Sequence, residues 1–254
     1  VDPEIDFSLA ELDAVGEALR LNVRRFPFAV GHHGATREER IALVAAAHRD
    51  LVARGLIRGR DFVPELVEAL HVFARGNLAI ALVGTAGDTH PVALASTDGR
   101  VGVLAIQRGR SIAFRRSHPD TVVRALVGLL PAMRPGPGAS VTVSDTATPA
   151  HPVDEDFSEF RFTSRMKPAA PSAVAVAAEI LRRPRLGAGY FTVTARGRND
   201  RETELGTLNY LDTDAGRYAI IPGTDHDGRL TATYTPAEQA FLDRQLTRMV
   251  DSRR

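Results

Sequence analysis

Cysteine is absent from this 254-residue chain. With no thiol there is no disulfide framework, no zinc–thiolate centre and no cysteine nucleophile, which fits a reducing compartment. Long apolar runs are missing too. None reaches the ~18 residues of a membrane span, so no membrane insertion is expected. Val1 to Leu9 lack the charged stretch and apolar core of a secretory signal, and the cytoplasm is the expected location. Charge of one sign is not in excess, because 32 Lys+Arg face 31 Asp+Glu for a net charge of +1. A protein that gains nucleic-acid affinity by counterion release usually carries a larger or more concentrated basic surface, so no nucleic-acid partner is expected. Arg24, Arg25, Arg108, Arg110, Arg115 and Arg116 would have to serve such a role, and they are dispersed over strands and turns.

Catalytic signatures are equally scarce. No Gly-Lys-Ser/Thr follows a glycine-rich turn, which removes the P-loop, and no Gly-x-Ser-x-Gly elbow occurs. Gly187-Ala188-Gly189 precedes a strand pattern, so no helix N-terminus stands ready for a pyrophosphate. His32-His33-Gly34 reads as a surface loop without a third metal ligand in sequence. Asp225-His226-Asp227-Gly228 places oxygen and nitrogen ligands on one turn, yet lacks the closing Glu of a calcium loop and reads as a polar hairpin tip. Asp212 and Asp214 suit a turn in which Asp bonds its own backbone. No cofactor and no metal are expected.

What is present is the composition of a globular protein, 44% hydrophobic and 25% charged, long enough to bury a sizeable core. Ser8 stands three residues before Glu11, and Thr36 three before Glu39; both spacings are capping boxes. They predict helices from Leu9 to Arg20 and from Thr36 to Gly55, the second with Ile41, Val44, His48, Leu51 and Val52 near one face. Between them, Leu21 to Val30 reads as extended because of Pro27. A third helix opens near Pro64 with Leu66, Leu70 and Phe73.

The period then becomes two-fold. Leu78 to Leu82, Val92 to Leu94, Val101 to Val103 and Ile112 to Phe114 predict an antiparallel four-stranded meander with turns at Asp98-Gly99 and Arg108-Gly109. A helix from Asp120 to Leu130 follows, then the rigid turn Arg134 to Gly138 and a short strand at Ser140 to Val143. Residues 144–171, rich in proline and acidic side chains, read as a linker. Beyond Ser172 the order repeats. A helix with Val174 and Leu181 ends before Pro184. Strands follow at 190–195, 205–211, 217–221 and 229–234, and a last helix is capped by Thr235 with Pro236 first in it. The expected fold is α+β: two pseudo-repeated halves (1–143 and 172–254), each a helix, a four-stranded meander and a helix, sharing a central sheet flanked by helical bundles.

Four segments carry a resemblance to a known family. They are Phe7 to Asp13, His33 to Arg40, Leu129-Leu130-Pro131 with Arg134 to Val141, and Leu211 to Tyr218, whose Asp212-Thr213-Asp214-Ala215-Gly216-Arg217-Tyr218 is similar to a "DT-x-x-GRY" strand pair. In their order and spacing the chain resembles the EspG proteins, chaperones of the type VII (ESX) secretion systems of actinobacteria. The resemblance implies a non-enzymatic cytosolic protein, monomeric or weakly dimeric. It would bind the helical tip of a PPE protein within a PE–PPE heterodimer, or another helical-hairpin ESX substrate of the WXG type. It also implies protein-binding positions. The loop Gly84 to Pro91, with Thr85, Asp88 and His90, would contribute, its glycines permitting movement. Phe191, Leu208 and Tyr210 on the sheet and Phe241 and Met249 on the last helix would supply an apolar seat of the kind that helix-in-groove recognition uses. The competing expectation is an enzyme or small-ligand protein with a site between the two halves.

Overall fold

The computed structural model describes residues 4–144, 172–197 and 199–252. Among these residues the centre is a ten-stranded antiparallel sheet, an α+β architecture in which six α-helices pack on the two faces. In chain order the elements are β1 (Ile5–Ser8), α1 (Leu9–Ala18), α2 (Arg37–Ala53), the small hairpin β2 (Ile57–Arg58) and β3 (Asp61–Phe62), and α3 (Pro64–Arg75). The strands β4 (Leu78–Ala86), β5 (Val92–Thr97), β6 (Gly102–Arg108) and β7 (Ser111–Ser117) lead to α4 (Val122–Val127) and β8 (Val141–Ser144). Then come α5 (Ala173–Arg182), β9 (Arg185–Arg196), β10 (Glu202–Thr213), β11 (Gly216–Thr224), β12 (Leu230–Pro236) and α6 (Gln239–Asp251). Across the sheet the order is β1-β7-β6-β5-β4-β9-β10-β11-β12-β8.

The helix starts follow from the capping chemistry. Ser8 and Thr36 each accept from the backbone N–H three residues on, while Glu11 and Glu39 reach back to the cap. The first helix stops at Ala18, two residues short of the expected Arg20, because Arg20 takes φ 55° and Leu21 N–H turns back to Gly16 O. The helix expected from Asp120 to Leu130 is shorter as well, with a 3₁₀ turn at Pro119–Thr121 ahead of α4. Of the expected linker, Ser144 belongs to β8, and 145–171 lie outside the described residues.

Alternation along the strands sends side chains to two separate cores. Ala79, Ala81, Leu94, Val103, Ala105, Ile112 and Phe114 join α1, α3 and Leu51 of α2. Aromatic rings knit this layer, with Phe114 edge-on to Phe7 at 5.7 Å and to Phe73 at 5.0 Å. On the other face Ile80, Leu82, Leu104, Phe191, Val193, Leu208 and Tyr210 pack beneath α4 and α6. A third, smaller cluster sets Ile180 of α5 on Leu211 and Tyr218.

Three further expectations change. Thr235 and Pro236 do not begin the last helix. They pair with Ala219 and Tyr218 as the end of β12, and α6 starts at Gln239 after Glu238. Of the stripe expected on α2 only Leu51 is buried, beside Ala47, whereas Ile41, Val44 and Val52 are 60%, 43% and 45% exposed. Gly187-Ala188-Gly189 lies inside β9 rather than before a strand.

Candidate functional site

The face carrying α1–α3 and α5 is not evenly covered. The α1–α3 layer reaches Ala79 and Ala81 of β4, and α5 sits over Leu211, Tyr218 and their neighbours. Between these layers Val83, Tyr190, Thr192, Thr194, Thr207 and Asn209 are half-buried. They are cross-strand partners, Ala81–Thr192–Thr207 in one row and Val83–Tyr190–Asn209 in the next. The result is a shallow trough with a largely polar floor along β4, β9 and β10.

One end of the trough meets the β4–β5 turn. Here the expected mobile loop is instead a tight hairpin. β4 continues to Ala86, Ala86 and Thr89 exchange backbone hydrogen bonds of 2.9 and 3.1 Å, and only Gly87 and Asp88 form the turn. Gly87 adopts φ 56°, as a two-residue hairpin turn requires. Gly84 does not serve movement. A Cβ there would lie 2.3 Å from Tyr210 Oη and 2.7 Å from Ala188 O, so glycine lets β4 and β9 approach beside the tyrosine. Thr85 Oγ1 donates to Ala188 O (3.3 Å) and accepts from Ala188 N–H (3.1 Å), and Tyr210 Oη donates to Thr85 O at 2.9 Å. Gly87 N–H bonds Leu186 O at 2.8 Å, so the tip is braced from beneath by β9.

The eight sequence-derived positions separate into three groups. Asp88 and His90 are exposed at the hairpin tip and Thr85 is half-buried at its base. Phe191, Leu208 and Tyr210 are interior, at 0%, 0% and 1% exposure, and so support the sheet from within rather than offering contact area. They share one face of β9 and β10, and α4 and α6 cover that face. Phe241 and Met249 are half-buried against that same core. Ala237 N–H bonds Arg217 O, which sets the start of α6 and Phe241 at the hairpin end of β10, whereas Met249 lies over Gly206. Gly206 and Asp212 are six residues apart along β10, so Met249 stands about 20 Å away from that end. Leu186, 47% exposed beside the tip, escaped the sequence reading because an isolated leucine before a glycine pair has no periodic signal.

The Asp212 to Tyr218 motif proves to be a buried clasp. Arg217 donates to both carboxylate oxygens of Asp212, at 2.6 and 2.8 Å, and to Pro131 O at 3.1 Å. Gly216 has φ 133° with Arg134 O and Pro135 O where a side chain would stand, and Tyr218 Oη donates to Pro137 O at 2.9 Å. The proline–glycine segment after α4 is thereby fastened to β11.

At the trough's other end a cleft of about 280 Å³ lies between Asn22–Phe26 and the β9–β10 hairpin. Its charges serve one another: Glu202 accepts from Arg25 and from Arg196 (2.6 Å), and Asp200 from Arg196 (2.8 Å). Among the described residues no group of three or more His, Asp or Glu side chains is placed to hold a metal ion. No helix among them is long and apolar enough to cross a membrane.

No curated protein sequence matches the chain. Among solved structures, the Mycobacterium tuberculosis type VII secretion system chaperone EspG5, in complex with the PE25–PPE41 dimer, is similar at a TM-score of 0.65 and 12% identity. The match covers 98% of this chain and 96% of that one. The sequence model described as the EspG family matches residues 8–248, which embraces the capped first helix, the hairpin, the clasp and most of α6. The chain belongs to the EspG family.

Proposed function

We propose that the chain is a non-catalytic cytoplasmic chaperone of a type VII secretion system that holds the helical tip of a PE–PPE-like client. The observation that carries this reading is the β4–β5 hairpin. Its base is pinned to the sheet by three hydrogen bonds of Thr85 and a fourth from Gly87 N–H to Leu186 O, and its tip presents Asp88 and His90 to solvent. A rigid projection loses little entropy on binding, which favours its use as a recognition element. Leu186 beside it and Phe241 at the same end of β10 add apolar area, and the trough behind it offers Thr and Asn groups for a polar rim. Met249 stands with α6 on the opposite face of the sheet from that trough, about 20 Å from the hairpin end. Membership of the EspG family supports the client class, as does a relative of matching fold solved with PE25–PPE41.

The fold is read as two pseudo-repeated halves. In support, a strand ahead of the helices pairs with the last strand of each meander, β1 with β7 and, from before the expected boundary at 143, β8 with β12. The two first meander strands, β4 and β9, meet at the middle.

Co-expression with PE–PPE pairs tests the function. A stable 1:1:1 complex is expected by size exclusion, and D88R with H90E should weaken it at least about tenfold, equivalent to roughly 1.4 kcal/mol. Absence of co-migration with any ESX substrate overturns the reading.

A further inference from the structure

Strand register places Gly84, Gly189, Tyr210 and Ala219 in one row across β4, β9, β10 and β11. The next row, towards the β4–β5 hairpin, is Ala86, Gly187, Asp212 and Arg217. Residues two apart on a strand share a face, so both rows lie on the side that α4 and α6 cover. Tyr210 is the one long side chain of its row, and it lies across both glycines. A Cβ on Gly189 would stand 2.8 Å from the edge of its ring, and one on Gly84 2.3 Å from its hydroxyl. The ring thus crosses β9 and reaches β4, where Oη donates to Thr85 O at 2.9 Å. In the second row a Cβ on Gly187 would meet Thr85 O at 2.5 Å. The Gly187-Ala188-Gly189 motif therefore admits the ring and keeps β9 close against the hairpin base.

At the far end of this path stands the Arg217–Asp212 clasp. The guanidinium, gripped by both Asp212 oxygens, lies 5.6 Å from the centre of the Tyr210 ring. The backbone of Arg217 is fixed as well: its carbonyl accepts from Gly136 N–H and Ala237 N–H, and its N–H bonds Arg134 O. A held cation therefore rests against an aromatic ring whose hydroxyl holds the hairpin base.

We infer that Tyr210 is the positioning residue of the β4–β5 hairpin, and that the Arg217–Asp212 clasp acts on the hairpin through it. The inference rests on the reading of that hairpin as the element that meets the client. At 1% exposure Tyr210 offers no surface to a client. It fixes the Thr85 carbonyl, one residue before the Ala86–Thr89 pair that closes the turn. The cation beside the ring limits its tilt, and the hydroxyl passes that restraint to β4. Recognition at Asp88 and His90 then depends on buried groups up to three strands away, because a tip already ordered loses less entropy on binding.

The test reads hydrogen exchange of the free full-length chain and its affinity for a PE–PPE pair. Y210F keeps the ring and removes the donor. It should speed exchange of the Gly87 and Thr89 amides, bonded to Leu186 O and Ala86 O, at least about fivefold relative to amides of β6 and β7. It should weaken PE–PPE binding by a similar factor. V193A, which trims the same core away from this path, should leave the exchange ratio unchanged. R217K keeps the charge and loses the two-pronged grip. It should raise the ratio in the natural chain and add nothing in Y210F, with D212N taking its place should R217K not fold. A ratio unmoved by Y210F, or raised equally by V193A, overturns the proposal. Full additivity of R217K or D212N with Y210F does so too. A loosened hairpin with unaltered PE–PPE affinity removes the positioning role alone. Absence of any complex with the natural chain removes the client reading along with it.

Discussion

Arg217 and Asp212 form a two-pronged ion pair sealed from solvent, with side chains 0% and 1% exposed. The guanidinium also lies 5.6 Å from the centre of the Tyr210 ring, so one residue links the β10–β11 turn, the segment after α4 and the core beneath α6. Removing either charge strands the other in a dry interior. D212A and R217M are each expected to cost about 3–5 kcal/mol. The double variant should cost clearly less than the sum. Urea denaturation measures all three, and additive or sub-1 kcal/mol single effects would contradict the clasp.

Gly84 tests the close approach of β4 and β9. G84A would drive a methyl group onto Tyr210 Oη and Ala188 O, and a loss of about 1–3 kcal/mol is expected. Gly31 has open space around a would-be Cβ and an ordinary backbone, so G31A should change stability by no more than about 0.5 kcal/mol. Thermal or urea unfolding of the pair distinguishes crowding from a general intolerance of glycine replacement.

Asp13 sets an acid limb. Burial of this carboxyl opposes ionisation. The His33 N–H at 3.1 Å and the guanidiniums of Arg40 at 2.6 Å and Arg24 at 2.5 Å outweigh it, holding the group below its ordinary 3.8. A carboxyl with a lowered folded-state pKa contributes stability that is present above 3.8 and lost as pH falls through the lowered value. Unfolding free energy should therefore drop on acidification below about pH 4. D13N should be less stable near neutrality and should show a flatter acid limb in urea titrations between pH 3 and 6.

Tyr210 sets the alkaline limb. Burial pushes its hydroxyl up to about 12 from 10.0, with Asp212 adding to the shift and Arg217 opposing it. Since the folded-state value is raised, its stabilisation is intact below pH 10 and is lost as pH climbs towards 12. Y210F should remove this part of the alkaline loss while forfeiting the bond to Thr85 O, worth about 1 kcal/mol at neutral pH. Phenolate absorbance followed alongside unfolding checks both statements.

Much of the architecture was legible because its signals are local. The Ser8–Glu11 and Thr36–Glu39 boxes, the turn glycines Gly99 and Gly109, and two-fold alternation in the meanders each express energetics within a few residues. The strand β1 was not legible. Four residues leading straight into a helix have no periodicity of their own, and only pairing with β7 makes them a strand. Pro236 misled for the same reason, since a proline before a helix and a proline ending a strand look alike until Tyr218 is known to lie opposite.

The candidate site was less legible than the fold. Phe191, Leu208 and Tyr210 differ in sequence not at all from residues that would line an open apolar seat, and α4 and α6 above them make them core. Conversely, Ile41, Val44 and Val52 carry the spacing of a buried stripe and stand exposed. Amphipathicity states that a face prefers burial and is silent on whether anything lies opposite.

The amino-acid order alone determined the element types, most of their starts, the family and the absence of a recognised catalytic motif, because these depend on residues near one another in the chain. Only the tertiary structure decided that β4 lies against β9, that Arg217 is sealed onto Asp212, and that the hairpin after Gly84 is braced. Each is a contact or an exposure set by segments far apart in sequence. Its energy comes from close approach and exclusion of water, which no local pattern contains.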